Sequence, residues 1–419
     1  MTSMQVLHSE NPSSRLYFLD WVRIIAFFVL IFYHVGMYYV TWDFHIKSSA
    51  ASTTIEPLMM LTSPWRLSLL FLISGVASRF MLNKLSASRF VKQRSTRLLI
   101  PLLFGMLVVV PPQSYCEVVE KVAYPGSYLD FLRLYVTAYH GFCKDHSCLI
   151  LPTWNHLWFV AYLWVYTLVL AGLAMLPRAG VERAAQVLTQ CLKGWRLIAL
   201  PVAVLAIVRI AMLTHFPTTH ALVDDWFSHA NYLPLFLLGA LLAPQVQFWR
   251  EMDVMRWISL GSALTCWALL ILYYAWPDAA VPADQAMFWR TLQRVVYACC
   301  EWSAIVAACG FAHRHLQFDS ARRRYLTQAV FPLYLMHQTV IVVAAHAIKP
   351  AGIAAPVEAL ILIVLTFTVS FGVFELVRRV AILQPLFGVG RIEGARVADN
   401  APDNVVDTAH DHRRLVNAA

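Results

Sequence analysis

The chain of 419 residues has little charge: Asp, Glu, Lys and Arg make up 14% of it, against 59% hydrophobic residues. A soluble chain of this length exposes far more charge, so a soluble globular fold is excluded. Equally absent are a glycine-rich loop built to cradle phosphate, a cluster of metal-ligand spacing and a Ser-His-Asp order. His313 and His315 flank a loop, but alternate histidines on a basic surface do not make a metal site. No internal repeat is visible, which counts against a transporter built from inverted halves. A cleavable leader is not expected either. The first apolar run, from about Leu16, is too long for a signal-peptide core and no small-residue cleavage site follows it.

What is present is a series of apolar runs long enough to cross ~30 Å of hydrocarbon as helices. The expected class is an all-α polytopic membrane protein. Its ten spans lie near 16–40, 58–80, 97–115, 154–176, 196–214, 230–246, 256–276, 291–312, 327–348 and 355–380. Fourteen Trp and seventeen Tyr suit aromatic belts at both interfaces. Residues 127–140 are amphipathic and too short to span, so they are expected to lie in the interface. Residues 1–15 form a short leading segment and 16–385 the membrane domain. Residues 386–419 form a polar tail expected to be disordered.

Loop charge sets orientation. Lys84, Arg89, Lys92 and Arg94 fall in 81–96, Arg178, Arg183 and Lys193 in 177–195, Arg250 in 247–255, and Arg314 and Arg322–Arg324 in 313–326. The alternate loops 41–57 and 215–229 hold only Lys47 between them. All basic loops share one side, so both termini are expected in the cytoplasm. This alternation also accounts for the net charge of +9 without any nucleic acid. Of eight cysteines, Cys266, Cys299, Cys300 and Cys309 read as small buried hydrophobes. Cys143 and Cys148 would pair if their loop met an oxidising compartment.

The first span carries Asp20, Arg23 and His34. Eleven residues at ~100° each leave Arg23 and His34 about 20° apart after three turns, and ~16 Å apart along the axis. Phe27 and Leu30 lie on the same stripe. A charge at depth costs at least ~2.5 kcal/mol in lipid, so the stripe is expected to face the bundle interior. Two readings stay open on the residues alone. Either Asp20 neutralises Arg23 while His34 bonds a carbonyl, or a neutral imidazole serves as general base.

Other polar residues divide the same way. Arg66 steadies an oxyanion or an acyl carboxylate, or snorkels outward. Ser74 bonds a donor arm, or with Gly75 allows close helix packing. His156 and Trp158 make a sugar platform or an interfacial anchor. Glu301 and His337, both mid-span, face inward and pair with each other or with Arg294, with a role in positioning substrate. Glu375 balances Arg378 or Arg379. Arg322–Arg324 set topology.

The motifs together resemble the acyltransferase 3 family of integral membrane enzymes over roughly 15–385. "YFLDWVR" with "YH" gives an R-x10-H spacing in the first span, and "PWRLSLLFLISGVASRF", "RSTRLLIPLLFG", "HLWFVAYLW", "YLPLFLLGALLA" and "FPLYLMHQTVI" follow in order. "FLDWVR", "TWDFH" and "PWR" are most similar to the branch that succinylates periplasmic glucans. The resemblance implies a bacterial inner-membrane O-acyltransferase that binds no permanent cofactor and no metal. Its donor is a cytoplasmic acyl-CoA, succinyl-CoA or acetyl-CoA, and its acceptor a periplasmic glucan or other envelope carbohydrate. It implies that His34 is essential. Arg23, Asp20, Arg89, Lys92, Arg94 and Arg97 would then meet the donor, and His34 would act as base or through a covalent acyl-imidazole. The partners implied are donor, acceptor and membrane lipid. The competing class is a proton-coupled transporter or flippase in which His and Glu relay protons.

Overall fold

A computed structural model describes residues 16–144, 147–277, 282 and 284–390. The expected leading segment 1–15, and all of the expected tail beyond residue 390, lie outside the described residues. The described residues are helical almost throughout, with one two-stranded hairpin among them. Among the described residues, seven helices are long and apolar enough to cross a membrane, or nine if each of two bent pairs is one span. The seven are α1 (Tyr17–Tyr39), α7 (Trp158–Leu173) with the turn before it (Asn155–Leu173, 19 residues in all), α11 (Val246–Ala275), α12 (Ala286–His315), α13 (Ala321–Ile348) with the turn after it, α14 (Ala355–Arg379) and the run made by α2 (Glu56–Thr62) with α3 (Arg66–Leu82). α10 (Trp226–Leu242) covers the sixth expected span but has only 17 residues. The chain is a multi-pass membrane protein. Leu360, Val364 and Leu376 on α14 and Val204 and Ile207 on α9 (Arg196–Met212) are exposed apolar side chains of the kind that suit lipid.

The breaks have chemical causes. Pro64 falls between α2 and α3, so 58–80 is not one unbroken helix. α4 (Ala87–Phe104) holds Pro101 and runs into a π turn at Gly105–Val109. α5 (Pro111–Val122) starts on two prolines. Residues without an N–H cannot continue the ladder, and the pair bends by 43°. α4 begins at Ala87, so Arg89, Lys92 and Arg94 stand on its first turns rather than in a loop. Residues 177–195 were expected as loop but form α8 (Arg178–Cys191), which buries Ala185 and Thr189 and meets α9 at 107°. The amphipathic 127–140 segment forms α6 (Tyr128–Val136).

The helices pack mainly as the pairs α11 with α12, α3 with α10, α13 with α14, α9 with α12 and α4 with α7, while α1 lies against α12 and α13. α3 and α10 meet backbone to backbone. A Cβ on Gly75 would sit 1.9 Å from the Phe236 carbonyl oxygen, and one on Gly239 2.1 Å from that of Leu72. Gly75 therefore serves close packing, one of the two roles expected for the Ser74–Gly75 pair.

At the end carrying the basic segments, Arg323 is buried and bonds both Asp20 and Asp319. It was expected to set topology; instead its guanidinium ties the start of α13 to the start of α1. Arg324 pairs with Asp319 at 2.6 Å. Glu375 pairs with Arg378 and Arg379 as expected. At the opposite end, β1 (Cys143–Lys144) and β2 (Ser147–Cys148) pair antiparallel and a disulfide joins Cys143 to Cys148. Lys47 donates to the carbonyls of Met37 and Val40, capping the end of α1. Burial pushes its ammonium down to about 8.

Candidate active site

The helix geometry of α1 holds as expected. Phe27 and Leu30 are 7% and 3% exposed, whereas Ile25 and Phe32, about 180–200° around the helix from Arg23, are 48% and 49% exposed. Arg23, Phe27, Leu30 and His34 thus share the inward stripe. His34 is partly accessible and holds Nδ1 3.0 Å from the Leu30 carbonyl oxygen one turn below.

α13 supplies the partner. His337, fully buried, places Nε2 3.1 Å from His34 Nδ1, with ring centroids 4.9 Å apart. Its other nitrogen, Nδ1, lies 2.6 Å from the Tyr334 carbonyl oxygen. His156 lies just before α7 with its ring 5.1 Å from that of His337 and its Nε2 3.2 Å from the Leu335 carbonyl oxygen. The Tyr334 hydroxyl donates to the His156 carbonyl. Three imidazoles from α1, α13 and the start of α7 therefore converge. His156 faces this interior, not an interface, and its Nδ1 is buried without a partner.

Arg66, at the first residue of α3, is 4% exposed, so it does not snorkel. Its guanidinium lies 3.6 Å over the Tyr33 ring, and that ring is 5.9 Å from His34. Such stacking offsets part of the burial of the cation. Its Nε and Nη1 remain buried without partners, a donor pair suited to an oxygen anion. Two residues further along α3, Ser68 donates to Glu301 Oε1, which also accepts from Asn231 of α10 at 2.9 Å. Glu301 was expected to pair with His337 or Arg294 and does neither. Arg294 donates instead to the Ile210 carbonyl and Thr214. The reason is azimuth: α12 turns Glu301 towards α3 and α10. Ser74 is half-buried, two turns further along α3 from Arg66.

At the basic end Asp20 lies 3.6 Å from Arg23 and also meets Arg323, so it neutralises a shared pair. Arg94 sits within charge range of Arg23 and Arg97, and its Nε is buried without a partner. Arg89, Lys92 and Arg97 are exposed on the same helix. Trp158 does not offer an open face, because His220 stacks on it with centroids 4.3 Å apart.

Sequence reading missed the polar wall beyond the imidazoles. His45 Nδ1 meets Glu117 at 2.5 Å, its Nε2 accepts from Gln338 at 2.7 Å, and Gln338 donates to Gln113. Phe44 lies against His34 with centroids 6.3 Å apart. Two of the quoted motifs carried parts of it, Phe44 and His45 in "TWDFH" and Gln338 in "FPLYLMHQTVI", but nothing in the spacing showed that they meet. Among the described residues no group of three or more His, Cys, Asp or Glu could hold a metal ion.

Comparison with known proteins adds a chemistry to this geometry. The family model described as "Acyltransferase domain" matches residues 16–375. Glucans biosynthesis protein C of Salmonella schwarzengrund is 24% identical over 391 residues, covering 90% of this chain and 96% of its own. The proteins of that name from Salmonella heidelberg and Salmonella typhimurium are each 25% identical over 396 residues, with the same coverage. No solved structure matches the chain.

Proposed function

The chain belongs to the acyltransferase domain family, and we propose that it moves an acyl group from a cytoplasmic acyl-CoA to hydroxyls of a periplasmic glucan or related envelope carbohydrate in the bacterial inner membrane. That it is an O-acyltransferase follows from the family and its glucan-biosynthesis relatives. The donor, the succinyl group and the sidedness are the proposal. The observation carrying it is the α1 stripe: a cluster of guanidiniums at one end, and His34 backed by His337 several turns above.

Donor phosphates meet Arg23, Arg94 and Arg97, with Arg89 and Lys92 at the rim, where cations bind phosphate reversibly. Asp20 keeps Arg23 in place. The acyl arm rises past Ser74 along Phe27 and Leu30. His34 Nε2 takes the proton of the acceptor hydroxyl as its oxygen attacks the thioester carbonyl. The C–O bond forms, the C–S bond breaks, and the leaving thiolate recovers the proton from the imidazolium. Arg66, whose buried Nε and Nη1 have no partner within the protein, holds the oxyanion or the far carboxylate of a succinyl group. His156 and Glu301 shape the chamber around the acceptor, and Trp158 supports that wall from behind. The one-sided distribution of the basic segments supports a cytoplasmic location for both termini. The hairpin bearing the Cys143–Cys148 bridge then lies in an oxidising periplasm.

The test is a strain lacking this chain. Its envelope glucan should lose one class of acyl substituent in the mass spectrum, and the plasmid-borne gene should restore it. The mass increment identifies the acyl group. An unchanged glucan, with every other envelope carbohydrate also unchanged, would refute the acceptor class.

A further inference from the structure

We infer that His337 is a positioning residue that fixes the tautomer of His34 and so aims its lone pair at the acceptor. The inference rests on the reading of His34 as general base. It follows from counting protons along one row of atoms. The Tyr334 carbonyl oxygen can only accept, so His337 Nδ1, 2.6 Å away, carries a proton. A neutral imidazole has one N–H, which makes His337 Nε2 an acceptor. That lone pair faces His34 Nδ1 at 3.1 Å, and the Leu30 carbonyl, also an acceptor, lies 3.0 Å from the same nitrogen. Both neighbours demand a proton on His34 Nδ1. The remaining nitrogen of His34, Nε2, is therefore unprotonated, and it accepts no hydrogen bond among the described residues.

The same row serves the charged state. When Nε2 takes the hydroxyl proton, the imidazolium keeps its Nδ1–H shared between the His337 lone pair and the Leu30 carbonyl. The positive charge then develops against two acceptors already in place, which costs no reorganisation at the moment of transfer. No proton passes to His337. Both nitrogens of that ring are engaged and its side chain has no accessible surface, so it touches no substrate. Its position is over-determined: His156 packs edge-on at 5.1 Å, and Tyr334 holds the His156 backbone. Rigid support of this kind is what a base needs if its orientation is to survive each turnover.

Two measurements on the full-length protein test this. In nitrogen-15 magic-angle-spinning spectra of the wild type, with His34 assigned by its loss in His34→Ala, the ring should be protonated at Nδ1 and bare at Nε2. A ring protonated at Nε2 would overturn the inference without any variant having to fold. In kinetics, His337→Ala should lower kcat by about 100-fold or more while both KM values stay within about threefold, because orientation rather than binding is lost. His337→Gln, which can offer a carbonyl oxygen near the old Nε2 position, should recover at least about tenfold of that loss. A merely structural role would move both KM values or stability and show no such recovery. His337→Ala within about twofold of wild-type kcat would also overturn the inference. Should His34→Ala itself retain full activity, the base assignment fails first. A dead His34→Ala beside a fully active His337→Ala defeats only the positioning role.

Discussion

His34→Ala is expected to lower kcat for acyl transfer by about 10^3-fold, within the range general bases contribute, while the donor KM changes little. The argument has two parts. No other side chain can replace the lost Nε2, since His337 is fully buried behind His34 and His156 faces His337 rather than the open side of His34. And His34 binds the chain together only lightly, through one carbonyl and one imidazole, so its removal costs on the order of 1 kcal/mol of stability. The variant should be purified in normal yield, and His34→Gln should be equally slow. Steady-state rates with the natural glucan and acyl-CoA read the effect directly. Transfer within about threefold of wild type would remove His34 from the chemistry.

The second large effect belongs at the other end of the stripe. Arg94→Ala should raise the donor KM about 10- to 100-fold, the loss of one charge-assisted hydrogen bond of ~1.5–3 kcal/mol, with the acceptor KM unchanged. Arg23→Ala should act in the same direction. Arg94 is the sharper probe because its Nε is buried without a partner, beside the positive charges of Arg23 and Arg97. Asp20 balances Arg23 but not the neighbouring Arg94 and Arg97, and the proposed donor phosphates would supply the missing negative charge. Arg94→Lys should recover only part, since an ammonium lacks the planar fork that pairs with phosphate oxygens. Initial rates across donor and acceptor concentrations separate the two KM values. An equal rise in both, or none, would detach the donor from this end.

Much of this was legible before any coordinates, and the reason is periodicity. A fixed ~100° per residue places Arg23, Phe27, Leu30 and His34 on one stripe whatever surrounds α1, and Ile25 and Phe32 do face away. The cost of ions in lipid also located Glu301 and His337 in the interior. Partner choice was not legible. Within one span, sequence spacing gives the azimuth of each residue relative to its neighbours, but nothing fixes how one helix is rotated against the next. Glu301 thus met Ser68 and Asn231, and His337 met His34, with no motif to announce either pair. Arg323 shows a different gap. Three adjacent arginines read as loop charge, yet Asp20 from α1 and Asp319 both reach the middle one and bury it. In α8 the cue was present: Val181, Ala185 and Leu188 recur at helical spacing, but the flanking basic residues dominated the reading of that segment. The stacking of His220 over Trp158 comes from a loop more than 60 residues away and left no local trace.

The central claim is that the donor enters at the arginine end of α1 and is consumed at His34 by an acceptor arriving from the other face. Sealed proteoliposomes test it most directly. Glucan is trapped inside, radiolabelled acyl-CoA is added outside, and the only active copies are those with the arginine end outward, the rest being inactivated from within by a trapped impermeant inhibitor of the donor site. The account predicts labelled glucan inside intact vesicles, with none formed by Arg94→Ala at low donor concentration. Label reaching glucan only after the vesicles are opened, or only when donor and glucan share one side, would contradict it.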